Sequence, residues 1–159
     1  GEDQGYVPAR DAYNAEGGLG YVRLESSLLR WFGTMPKDDV LAVDAQRPPR
    51  VFELRMYESN NGSTLARKIK MFSDAEIGIF KRLGMRPVFF AETIIGRNMP
   101  SLTYMLSYDS LAAREEAWKT FGADPEWKEL RSKPGYADAE IVSNISNSIL
   151  RPLPFSPIR

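Results

Sequence analysis

At 159 residues, with 43% hydrophobic and 26% charged side chains, the chain has the make-up of one packed globular domain with some length left over, not of a disordered segment. Lysine plus arginine equals aspartate plus glutamate, 21 of each, so no overall field gathers nucleic acid or an anionic membrane, and no nucleic-acid partner is expected. The lack of cysteine and histidine removes thiol chemistry, Ser/His/Asp triads, imidazole metal ligation and the common zinc and haem sites, and no run approaches the ~18 apolar residues of a membrane span.

Residues 1–30 look like part of something repeated later. Sliding the chain on itself by 121 positions sets "SLLR" (27–30) over "SILR" (148–151), Tyr6 over Trp127, Asp3 over Asp124 and Arg10 over Arg131. Both segments read as a short helix, a glycine-bearing turn and a strand, so residues 1–30 are expected to be the remnant of a preceding copy of the same unit. The strand over 20–30 is then an orphan that must pair with an exposed sheet edge, its own or a partner's. Residues 31–50, "WFGTMPKDDVLAVDAQRPPR", hold three prolines and no clean period and read as a linker with one apolar patch at 40–43. Asp38 and Asp39 make a weak oxygen pair for a hard cation, with no third ligand at loop spacing.

The main unit, residues 51–159, opens with the strand "VFELRMYE" at 51–58. In the helix that follows, Leu65, Ile69, Phe72, Ala75, Ile79 and Leu83 recur three or four apart, with Ser63 as N-cap and Gly84 as terminator. "MRPVFFAETII" and "SLTYMLSYD" predict paired strands over 86–95 and 101–108. Ser110 caps a helix with Leu111, Trp118 and Phe121 inward and Gly122 closing it; Asp124 and Pro125 start another. "AEIVSNISNSIL" spaces Ile141, Ile145 and Ile149 evenly and predicts a last strand, and a proline-rich tail ends the chain. "RKIK" at 67–70 and "REE" at 114–116 read as solvated helix surface. The order β-α-β-β-α-β is the α+β, ferredoxin-like arrangement, with helices on one face of the sheet. Strands apolar on both sides then leave a greasy face that a second sheet would bury, so an α+β barrel formed by pairing of two sheets is expected.

"FELRMY", the strand pair around "IIGRNMPSLTYML", "YDSLAAREEAW" and "ADPEWKEL" together resemble the NIPSNAP family over 51 to about 150. The resemblance implies a ferredoxin-like domain that dimerises into an α+β barrel, as related cofactor-free monooxygenase-type domains do. It brings no agreed catalytic activity, and tandem arrangements resemble bacterial members, some of them exported. The expected partner is thus a second copy or a preceding homologous unit, with a small molecule as a candidate ligand and no cofactor. The compartment stays open between cytoplasm and export.

Within the first strand, Glu53, Arg55 and Tyr57 share one face while Phe52, Leu54 and Met56 share the other. The apolar set is the natural floor for the helices, which directs the charged set into the gap between two sheets. Two readings follow. Either Glu53 and Arg55 form a paired network that sets register, or Arg55 binds a carboxylate or enolate, with Tyr57 as hydrogen-bond donor or acid and Glu53 orienting the arginine. Tyr104, Tyr108 and Asn144 are further candidates for the same cavity, on faces the sequence leaves open. The function expected is small-ligand binding or protein interaction, with a cofactor-independent monooxygenase- or isomerase-like enzyme as the alternative.

Overall fold

The structure, a computed structural model, describes residues 5–17, 21–34, 48–156 and 158. In chain order the elements are α1 (Tyr6–Ala15), β1 (Leu28–Trp31), β2 (Val51–Glu58), α2 (Gly62–Met71), a π turn (Phe72–Glu76), α3 (Ile77–Arg82), β3 (Arg86–Ile95), β4 (Ser101–Tyr108), α4 (Leu111–Ala123), α5 (Pro125–Ser132), α6 (Asp138–Ile141) and β5 (Asn144–Leu150). The five strands form one sheet in the order β1-β3-β4-β2-β5, every neighbour antiparallel. Two β-α-β units are therefore split: β4 lies between β2 and β3, and β2 lies between β4 and β5. A mixed α+β fold results.

Local chemistry sets the boundaries. Asn61, not Ser63, caps α2: its side chain accepts from the Thr64 amide while the Thr64 hydroxyl accepts from the Asn61 amide, satisfying two helix-start donors at once. Gly84, at φ +76°, takes the left-handed position that stops α3. Ser110 caps α4, but that helix runs through Gly122 to Ala123, and Leu111 stays exposed while Phe121 is buried. Asp124 accepts from the Trp127 amide with Pro125 at the first helical position of α5. The expected strand over the last isoleucines is shorter, because Ile141 sits buried on the one-turn α6 and only residues 144–150 extend.

The main core lies between sheet and helices. Phe72 is fully buried and contacts Phe32, Tyr57, Phe80, Phe90 and Tyr104 with ring centroids 5.2–6.4 Å apart. The cross-strand pair Phe90 and Tyr104 stacks at 4.8 Å. Each such ring contributes roughly 1.5–3 kcal/mol by leaving water. The π turn adds a residue to the helical repeat, so Ile79 and Phe80 both reach this core, and the single stripe expected through Ile69, Ala75 and Leu83 becomes its partly buried margin.

The N-terminal strand is not spare chain. β1 pairs with the outer edge of β3, the Phe32 amide donates to the Phe90 carbonyl at 2.9 Å, and the Phe32 ring joins the core. Trp31 and Phe32 thus belong to the folded sheet rather than to a linker starting at 31. The remaining linker features, the apolar patch at 40–43 and the Asp38/Asp39 pair, lie outside the described residues.

Candidate functional site

The face assignment expected for β2 is reversed. Glu53, Arg55 and Tyr57 point beneath the helices, where Tyr57 belongs to the main core; Phe52 and Leu54 lie on the opposite face with Val88, Phe89 and Met105. The cause is partner supply. α4 and β5 bring donors to the helix side of the sheet, and among the described residues nothing comparable faces Phe52 and Leu54.

Glu53 is completely buried and its carboxylate gathers six donors. Oε1 accepts from Arg55 Nη1 (2.9 Å), Arg114 Nη2 (2.6 Å) and Asn147 Nδ2 (2.7 Å). Oε2 accepts from Arg114 Nε (2.9 Å), Trp118 Nε1 (2.7 Å) and the Tyr108 hydroxyl (3.3 Å). Burial pushes the Glu53 carboxyl up, yet the bonds from Arg114, Trp118 and Arg55 outweigh it and hold the group below its ordinary value. A carboxylate so occupied is a structural tie across β2, β4, β5 and α4, not a base awaiting a proton.

Arg55 continues the network. Its Nη2 donates to the Tyr57 hydroxyl at 3.2 Å, which also accepts from Tyr104 at 3.0 Å, and its guanidinium lies 4.6 Å over the Trp118 ring. Its Nε is buried without a hydrogen-bond partner. Burial lowers the Arg55 pKa, but Tyr104, Tyr57 and Glu53 raise it further, so the cation is fixed. Burial likewise drives the Tyr104 and Tyr108 phenols well up, so both stay neutral.

A second buried charge sits nearby. Lys68, 1% exposed, donates to Glu76 of the π turn at 3.1 Å and to Asp138 of α6 at 3.2 Å, within 5.6 Å of the Phe72, Tyr57 and Trp127 rings. Desolvation lowers the lysine, and the two carboxylates more than restore it. Burial raises the Glu76 carboxyl beyond what Lys68 recovers.

Four of the five candidate residues, Glu53, Arg55, Tyr57 and Tyr104, therefore come together, with Tyr108 beside them, but under the helices rather than between sheets. Asn144 does not join them; it starts β5 and donates to Glu58 at 2.8 Å. Arg114, Trp118, Asn147, Lys68 and Glu76 complete the network and escaped the sequence reading of a polar site. "REE" and "RKIK" are not wholly solvated surface, since Arg114 and Lys68 turn inward. The signal existed in the spacing: Arg114 precedes the inward Trp118 by four residues, and Lys68 lies three after Leu65. Among the described residues no group of three or more acidic side chains could hold a metal ion, and no helix is long and apolar enough to cross a membrane.

The opposite, open face is apolar with a hydroxyl fringe. Phe52, Leu54 and Met56 of β2 are flanked in register by Ser107, Met105 and Thr103 of β4 and by Leu150, Ser148 and Ser146 of β5. Trp31, 44% exposed, packs on Phe89 at 6.2 Å. The tail folds back over one part of this face, where Ile158 packs on the cluster of Phe52, Val88 and Met105 and a groove of about 350 Å³ opens between Met105, Leu150 and Phe155.

Known proteins now give this geometry a context. No curated protein matches the chain. Among solved structures, a NIPSNAP family protein from Agrobacterium tumefaciens strain C58 superposes with a TM-score of 0.64 at 24% identity, covering 74% of this chain and 98% of that one. A second protein from the same strain, a NIPSNAP family protein of unknown function, gives 0.60 at 26% identity over 70% and 95%. A NIPSNAP-like domain protein from Burkholderia xenovorans gives 0.60 at 24% over 68% and 89%. The NIPSNAP family model matches residues 52–157, and this chain belongs to the NIPSNAP family.

Proposed function

We propose that this NIPSNAP domain is an interaction module whose open sheet face packs against the same face of a second copy, closing an α+β barrel. One observation carries this: Leu54, Met56, Phe89 and Trp31 lie on the side of the sheet that carries no helix layer among the described residues, and they keep part of their surface in water. Burying such a face between two like layers removes it from water at roughly 25 cal/mol per Å². A second copy suits it. The face is uncharged along Phe52, Leu54 and Met56 and their β4 partners, so two copies meet without like-charge repulsion, as an isologous two-fold contact requires.

Binding, not catalysis, is the reading favoured. The side chains directed into such a gap are apolar or hydroxyl-bearing, whereas the arginine and carboxylate that would activate a substrate are occupied beneath the helices. Light scattering after size exclusion tests the proposal. The wild-type chain is expected to elute as a dimer at micromolar concentration, and Leu54→Glu as a folded monomer. A wild-type monomer, or an unaltered dimer in the variant, would overturn it.

A further inference from the structure

A groove separate from the charged network lies where the chain enters β2, and it shares Arg151 and Pro152 with the groove on the open face. It has a volume of about 580 Å³, and its polar lining is Arg50, Arg151, the Asp109 carboxylate and the Ser110–Ala112 start of α4. Arg50 is nine-tenths buried, yet its Nε and Nη1 have no hydrogen-bond partner. Among the described residues its ion-pair partner is Asp109, which stands 3.8 Å from Nε, beyond hydrogen-bond reach, and accepts from Arg86 at 2.6 and 3.2 Å. Buried guanidinium donors without an acceptor are costly, and a native structure normally satisfies them.

The start of α4 faces the same groove. Ser110 spends its hydroxyl on the Ala113 amide. The amides of Leu111 and Ala112 have no acceptor within their own helix. A thirteen-residue helix places partial positive charge at this end. Arg151 lines the groove and makes no ion pair among the described residues, so among these residues the groove and its neighbour are lined by three guanidinium groups and one carboxylate. Pro49, Val51 and Pro152 add apolar wall.

We propose that the groove between Arg50, Arg151 and the first amides of α4 is an anion site for a small molecule carrying a phosphate monoester or a carboxylate. The oxyanion accepts from the Leu111 and Ala112 amides and from Arg50, whose enclosed Nε and Nη1 turn to meet it by a side-chain shift, and the remainder of the ligand lies along the proline and valine wall. Arg50 and the α4 amides lie outside the open-face groove, so their part of the site stands apart from how that face is covered.

The test is titration of the full ¹⁵N-labelled chain with inorganic phosphate and with acetate, against chloride at matched ionic strength. Saturating shifts of the Leu111 and Ala112 amides and of Arg50 Nε are expected with phosphate or acetate and not with chloride, and the tighter anion identifies the ligand class. Arg50→Met is expected to weaken binding about tenfold or more. Leu111→Pro removes one amide donor at the helical position that tolerates proline, after a Ser110 already in extended backbone (φ −162°), and is expected to weaken binding several-fold. If Arg50→Met does not fold, Leu111→Pro and the exposed Arg151→Met decide. Shifts that do not saturate, that chloride reproduces, or that survive unchanged in the folded variants would overturn the site.

Discussion

The two faces of β2 reverse the usual distribution of polarity. The side under the helices holds Glu53, Arg55 and Tyr57, while the side without helices holds Phe52, Leu54 and Met56. The charged face is nonetheless the closed one: Glu53 has no exposed surface, and Leu54 and Met56 retain some. The difference shows that a charge in a strand goes where donors await it. Desolvating one carboxylate costs several kcal/mol, and six hydrogen bonds, three of them from arginine, offset that cost in a way no water-filled gap would require.

The largest effect should come from breaking the closed face. Glu53→Ala leaves Arg55 and Arg114 without their shared anion and should lose about 3–5 kcal/mol in urea unfolding monitored by tryptophan fluorescence. The counterpart on the other face is Leu54→Glu, which spares the main core and gives up only the packing of Leu54 on the cluster of Phe52, Val88 and Met105. It should weaken association by about 3 kcal/mol, roughly a hundredfold, because pairing would bury an unmatched carboxylate; sedimentation equilibrium reads this.

Acid sharpens the comparison further. The folded-state pKa of Glu53 is depressed below its ordinary value of 4.5, so its contribution is present above 4.5 and is lost as pH falls through the lower folded value. The stability gap between the wild-type chain and Glu53→Gln should therefore hold from neutral pH down to 4.5 and narrow below it, as followed by denaturant melts at stepped pH. The smallest change belongs to a position on neither face. Asn61→Ala removes the α2 capping box and should cost about 1 kcal/mol of thermal stability without altering oligomeric state.

How much of this was legible in the sequence depends on whether a signal was local. The strands at 51–58, 86–95 and 101–108, the α4 cap at Ser110 and the Asp124–Pro125 start are written in neighbouring residues and match the structure. The faces of β2 are not. Alternation tells that Glu53, Arg55 and Tyr57 travel together, but their side is fixed by Arg114, Trp118 and Asn147, more than sixty residues away. Helical periodicity through Leu65 to Leu83 assumed an unbroken 3.6-residue repeat, and the π turn at Phe72–Glu76 shifts it. Ile141 followed the strand spacing of Ile145 and Ile149, but core burial captured it in a helical turn instead. Asn144, a candidate for the same cavity on a face that alternation left open, meets Glu58 and not the charged network.

Because the chain has no cysteine, a single thiol can report on one face at a time. Met56→Cys places it on the bare side of the first main strand, and Lys119→Cys, on the outer surface of α4, serves as the reference. Alkylation of Met56→Cys should slow as protein concentration rises through the dimer dissociation constant, while Lys119→Cys should react at one rate throughout. A Met56→Cys rate that ignores concentration would contradict the account.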